Sequence, residues 1–135
     1  MGYFIYNENE KFWDKRYHEE IYMPTGLQER CVQIIKKNAP HHFTNHAWNN
    51  KDDRSHNADK NQVKKALEYL ENCPSKPFEI YVNERGYPFR FCMRTKLNPT
   101  DDIAFVLQGN KVITFWVNET NDDHRTLKHW LYDRD

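Results

Sequence analysis

The densest group of titratable side chains is His41, His42, His46 and His56. Imidazole titrates near neutral pH and ligates metals through either ring nitrogen. If His42 and His46 lay on one helix, their i, i+4 spacing would let both reach a single ion, with Asp52, Asp53 and Asp59 near enough to complete its shell. No HExxH or paired Cys–His spacing accompanies them, and a polar, histidine-rich loop accounts for the run more simply. A metal-dependent hydrolase built on His42, His46 and His56 is therefore the weakest of three readings, and neither metal nor other cofactor is expected. His124 sits beside Asp122 and Asp123. Neighbouring carboxylates favour the charged imidazole, which suits it to general acid or base work; a polar loop with a capping Asp is the plainer alternative.

A second group depends on strand parity. Side chains alternate across a sheet, so in a strand over 88–95 Arg90, Cys92 and Arg94 share one face and Phe89, Phe91 and Met93 the other. In a strand over 111–118, Val112, Thr114, Trp116 and Asn118 share a face, leaving Ile113, Phe115 and Val117 on a wholly apolar one. The polar faces would gather Arg90, Arg94, Thr114, Trp116 and Asn118 into one shallow surface. Two guanidinium forks suit a phosphate, and an indole offers a stacking plane for a base. An ordinary solvated sheet face with cross-strand pairs weighs about equally. Cys92 has no base placed beside it and reads as a structural thiol.

The elements that must position these groups follow from periodicity. Phe12, Trp13, Tyr17 and Ile21 suit a helical stripe within residues 1–24. After Pro24-Thr25-Gly26, residues Leu27, Cys31, Ile34 and Ile35 recur at helical spacing, with Lys36 and Lys37 in the closing turn before Pro40. A short helix starts near Thr44, a capping hydroxyl. Asp59 with Gln62 forms a capping-box pattern ahead of Val63, Ala66, Leu67 and Leu70, which predicts a helix over about 60–72. From Phe78 the period falls to two, giving strands at 78–83, 88–95, 103–108 and 111–118. Arg85-Gly86 and Gly109-Asn110 mark tight turns. Residues 121–135 add one helical turn and a tyrosine anchor. The predicted class is α+β, with N-terminal helices packed on a mostly antiparallel sheet of about four strands.

The chain has 135 residues, fitting a single domain over 1–135. Lys plus Arg and Asp plus Glu number 20 each, so the formal charge is zero. Bulk electrostatic attraction to nucleic acid is thereby disfavoured, while a local basic face is not. Cys31, Cys73 and Cys92 are odd in number and widely spaced, as for reduced thiols in a cytoplasmic protein. No apolar run approaches membrane-spanning length, and residues 1–10 lack the basic start and apolar stretch of a signal peptide.

Phe43-Thr44-Asn45-His46-Ala47, then Arg54, then Asp59 to Leu67, resembles the opening of small RelE-like domains, in which a T-x-H-A segment starts a helix, an Arg follows, and a second helix leads into a meander. Arg94, the stretch Lys111-Val-Ile-Thr114-Phe-Trp116-Val-Asn118, and the close Asp122-Asp-His124-Arg-Thr126-Leu127 with Tyr132 are similar to the sheet and the ends of the same group. The broader superfamily is that of barnase, EndoU, colicin-type tRNases and RelE. The resemblance covers about residues 43–132, with 1–42 as an N-terminal helical extension. It implies a metal-independent endoribonuclease, a toxin or phage host-modulating protein, in which the RNA 2′-OH attacks the adjacent phosphate. Carried over, His46, Arg94, Thr114 and His124 would be catalytic, with Arg90, Trp116, Asn118 and Arg54 contacting RNA. The chain departs from the group in its neutral charge and in its polar insert around Trp48 to Asp53, and the superfamily includes inactive binding proteins. The rival reading is therefore a non-catalytic module of phage or bacterial origin that binds a protein partner (an antitoxin, immunity or host protein) through aromatics such as Trp13, Trp48 and Trp116.

Overall fold

A computed structural model describes residues 3–7, 12–18, 23, 25–49, 59–83 and 85–119. Among the described residues, seven strands and three helices run in the order β1 (Tyr3–Asn7), β2 (Phe12–His18), α1 (Thr25–Asn38), β3 (His42–Phe43), α2 (Asn45–Asn49), α3 (Lys60–Asn72), β4 (Glu79–Val82), β5 (Pro88–Lys96), β6 (Asp101–Gln108) and β7 (Lys111–Glu119). The α+β class and the late meander are as the sequence pattern predicts. The sheet is wider than the expected four strands, with order β1-β2-β4-β5-β6-β7-β3. Every pairing is antiparallel except β3 with β7.

The local causes are legible. At α3 the Asp59 carboxylate accepts the Asn61 and Gln62 backbone N–H groups at 2.8 and 3.4 Å, satisfying donors that the first turn leaves open. Val63, Ala66, Leu67 and Leu70 then form the buried stripe. Lys36 and Lys37 end α1, where cations suit the negative end of the helix dipole. Gly86 and Gly109 take positive φ, +80° and +60°, in the two tight turns of the meander.

Helices α1 and α3 pack on the β5–β6 centre of one sheet face, and α2 packs on β7. Phe91, Phe105 and Phe115 are fully buried there with Cys31, Ile35 and Leu70. Burial pushes the Cys31 thiol up to about 12, against a smaller opposing pull from Arg30, so it stays protonated and inert. The other face carries a smaller cluster of Phe78, Cys92, Ala104 and Val106, flanked by Tyr81, Ile113 and Trp116. Cys92 is buried and its thiol donates to Glu79 Oε1 at 3.5 Å. All three cysteines are free thiols; Cys73 is exposed. No helix among the described residues is long and apolar enough to cross a membrane.

Four expectations need correction. Residues 3–7 and 12–18 form a hairpin of strands rather than a helix: their Tyr, Phe and Trp content favours extended chain, and β4 offers β2 a partner edge. The N-terminal extension is thus two strands followed by one helix. His42 lies on β3, so it shares no helix face with His46 and the i, i+4 metal pair does not exist. The parity of β7 breaks at a bulge: Val106 faces Thr114 and Leu107 faces Val112, which leaves Ile113 as the extra residue. Val112 consequently joins the helix-facing core, and Ile113 packs with the opposite cluster. In β5, Tyr81 faces Arg90 and Val82 faces Pro88, so Phe89 is extra and stands against Tyr81, 6.3 Å between ring centroids, instead of joining the core with Phe91. One inserted residue is enough to rotate its neighbours to the other face. The helical turn expected in 121–135 lies outside the described residues.

Candidate functional site

Both bulges fall at the same end of the sheet, and an open concavity of about 630 Å³ lies beside them. Its lining comes from three places in the chain: Thr44 and His46 at the start of α2, Arg90 in β5, and Gln108, Gly109, Asn110, Lys111 and Ile113 across the β6–β7 hairpin. Bulges commonly re-aim side chains beside functional sites.

The parallel strand β3 explains why residues so far apart in sequence meet. The His42 N–H donates to Asn110 O at 2.8 Å, and the Thr44 N–H to Val112 O at 3.1 Å, which ties the 42–44 segment to the hairpin. Thr44 Oγ1 then accepts the Ala47 N–H at 3.1 Å and caps α2, as the sequence suggests. Ala47 is buried, and Trp48 packs on Phe43 (centroids 4.9 Å) and edge-on to Phe115 (5.1 Å). With those residues turned inward, His46 is exposed at the concavity.

Arg90 is held from two sides. Its Nε donates to Gln108 Oε1 at 2.9 Å, and its guanidinium carbon lies 5.3 Å from the Tyr81 ring centre and 5.7 Å from that of Phe89. Cation–π contact and a neutral acceptor fix the group without cancelling its charge. Among the described residues the lining holds Arg90, Lys111 and His46 and no Asp or Glu, in a chain with as many acids as bases. The cations of the described lining are therefore not matched by acids of that lining, although the net charge of the chain is zero.

Of the predicted site residues, His46 and Arg90 come together here. Arg94, four residues along β5, is roughly 13 Å away by strand rise. Its Nε donates to Asp102 Oδ2 at 3.0 Å and its Nη2 to Glu119 O at 3.3 Å. Thr114 lies opposite Val106, Trp116 opposite Ala104 and Asn118 opposite Asp102, on the same sheet face and further from the hairpin. Trp116 is half-buried, its ring edge-on to Phe78 at 6.4 Å. Arg54, His56 and His124 lie outside the described residues. Among the described residues no cluster of three His, Cys, Asp or Glu side chains could hold a metal ion. Lys111, Gln108 and Asn110 were not singled out by sequence; the Gly109-Asn110 turn signal places Gln108 and Lys111 side by side at a hairpin end, but nothing in it brings His46 there.

Compared with family models, curated proteins and solved structures, the chain matches none.

Proposed function

We propose that the chain is a ribonuclease-like domain that engages the RNA backbone in the concavity between α2 and the β6–β7 hairpin. The observation that carries the reading is a lining that, among the described residues, holds Arg90, Lys111 and His46 and no acid. Arg90 presents a preoriented fork and Lys111 a mobile point charge, a pairing suited to a phosphate whose negative charge grows during attack. In this reading the 2′ oxygen forms a bond to phosphorus as its proton passes to His46. The bond from phosphorus to the 5′ oxygen breaks, the departing oxygen takes a proton from water, the hydroxide left takes the proton held by His46, and a 2′,3′-cyclic phosphate remains. Thr44, Gln108 and Asn110 supply neutral hydrogen bonds to sugar or base. Arg94, with its charge already met by Asp102, takes no part, which departs from the role the RelE-like resemblance implies for it. A cytoplasmic setting fits three cysteines that form no disulfide.

Incubation of the purified chain with a short single-stranded RNA in excess EDTA tests the reading. The expected products end in 2′,3′-cyclic phosphate, and His46→Ala removes them while leaving RNA binding in place. RNA that is neither cut nor bound overturns the proposal. Capture of a stoichiometric protein partner in that case supports the binding-module alternative instead.

A further inference from the structure

A second concavity, of about 410 Å³, lies between the 40–48 segment and one face of α3. It takes no part in the RNA reading. Two observations mark it as more than a surface dent. The first is an orphaned atom. The His41 side chain is fully buried; its Nδ1 lies 2.7 Å from Glu71 Oε2, which also accepts the His41 backbone N–H. A carboxylate against Nδ1 places a ring proton there, and in the neutral ring Nε2 is then an acceptor. That Nε2 is buried and has no hydrogen-bond partner. Buried polar atoms in native proteins are nearly always satisfied, and an exception points to a missing partner.

The second observation is the order of charges on α3. Lys60 and Lys64 line the concavity from the N-terminal half of the helix, and Glu68 and Glu71 from the C-terminal half. This order opposes the helix dipole, which favours acids at the start and bases at the end. Helix stability therefore gives no reason for it. Lys64 and Glu68 form an ion pair neither with each other nor with another described residue. Lys60 is occupied, with its Nζ 5.2 Å from the Trp48 ring centre. A pure anion would meet the two glutamates and a pure cation the two lysines. A molecule carrying both charges close together meets both, because Lys64 and Glu68 are one turn, roughly 6 Å, apart along the helix.

We propose that this concavity binds a small zwitterion with ammonium and carboxylate on one carbon and an apolar side chain, as in an apolar α-amino acid. The ammonium donates to Glu68 and, after a small shift of the 40–43 segment that uncovers the buried atom, to Nε2 of the neutral His41 ring; the carboxylate faces Lys64, and the side chain lies against Phe43, Trp48 and Leu67. The volume is in the range of small-molecule sites.

Titration calorimetry on the full chain, with L-phenylalanine, L-leucine and L-methionine as probes, tests it. At least one binds with one-to-one stoichiometry and shifts the ¹⁵N resonance of His41 Nε2. Phenethylamine and 3-phenylpropionate, each lacking one charge, bind about tenfold more weakly or worse than L-phenylalanine when that is the binder. Lys64→Met and Glu68→Gln, both at exposed positions and thus safe for folding, each weaken binding about tenfold, whereas His46→Ala leaves it unchanged. No heat from any of the three amino acids at millimolar concentration, or equal binding of the singly charged analogues, overturns the proposal.

Discussion

Arg90 and Arg94 are the same residue type on the same strand and the same face, four positions apart, yet their surroundings differ in one decisive respect. Arg94 is sheltered, its side chain and that of Asp102 being 14% and 18% exposed, and a carboxylate answers its charge at 3.0 Å. Arg90 is held by an amide oxygen and two aromatic rings, and it opens on a surface with Lys111 and His46. The first arginine fastens β5 to β6 and to the end of β7. The second is fixed in place while its charge stays available. What separates an acid-paired cation from one held by neutral groups here is the partner, and the partner is set by where bulges and β3 bring the chain together.

The sharpest way to break this contrast is to truncate each arginine in turn. Arg90→Ala should lower RNA cleavage by about 10²-fold or more, the scale of losing a preorganised donor to a developing charge. Arg94→Ala should change cleavage less than about threefold and instead cost roughly 1–2 kcal/mol of stability, between the values for exposed and buried pairs. Single-turnover cleavage assays and urea unfolding read the two effects. The reverse pattern would show that the sheet face around Trp116, and not the hairpin end, meets RNA. Next in size is the bulge itself. Deleting Ile113 leaves Thr114 opposite Val106 and Val112 opposite Leu107 in regular pairing, so the fold should survive with a loss of about 1–2 kcal/mol for the apolar contacts of Ile113. The wall of the concavity it lines should flatten, and RNA affinity should fall about tenfold in a filter-binding assay.

How much of this was visible beforehand depended on the range of the interaction. The α1 and α3 spans, the Asp59 and Thr44 caps, the two glycine turns and strands β4 to β7 rest on local periodicity and turn chemistry, and they stand where the pattern puts them. Residues 3–7 and 12–18 did not, because aromatic residues separated by charges suit either period, and only pairing with β4 decides between them. The two bulges are invisible to alternation: Pro88-Phe89-Arg90 and Val112-Ile113-Thr114 read as uninterrupted strand. One inserted residue in each moved Phe89 and Ile113 out of the core face and Val112 into it. The site was half legible for the same reason. Arg90 follows from side-chain chemistry and strand parity and His46 from the RelE-like resemblance, but Lys111 as their neighbour follows from a two-residue parallel strand that no short pattern announces, and the acid that occupies Arg94 comes from across the β5–β6 pair.

A smaller effect tests whether Asp102 alone silences Arg94. Asp102→Ala removes the carboxylate that meets the guanidinium at 3.0 Å and makes the charge of the face more positive by one. The affinity for single-stranded RNA should rise by about two- to fivefold, and the salt dependence should steepen by about 0.7 in the log–log slope, one phosphate's worth for a single strand. Titrations at several salt concentrations measure both. An unchanged slope would mean that position along the sheet, rather than charge pairing, separates the two arginines.

The least effect, and the most local, concerns how His46 is held at the Arg90 end. α2 has only five residues, too few to persist alone, and its placement rests on the Thr44 cap and on the packing of Ala47 and Trp48. Thr44→Ala removes the acceptor of the Ala47 N–H and should cost about 1 kcal/mol. Thr44→Ser keeps the oxygen and should restore most of it. The loss is confined to α2, so the global urea midpoint should move little, while hydrogen exchange at Ala47 quickens by about fivefold. If His46 works from this helix, cleavage by Thr44→Ala should fall by a similar factor and recover in Thr44→Ser, with Arg94→Ala as the unaffected control. Exchange that quickens with no change in cleavage would separate the position of His46 from the chemistry assigned to it.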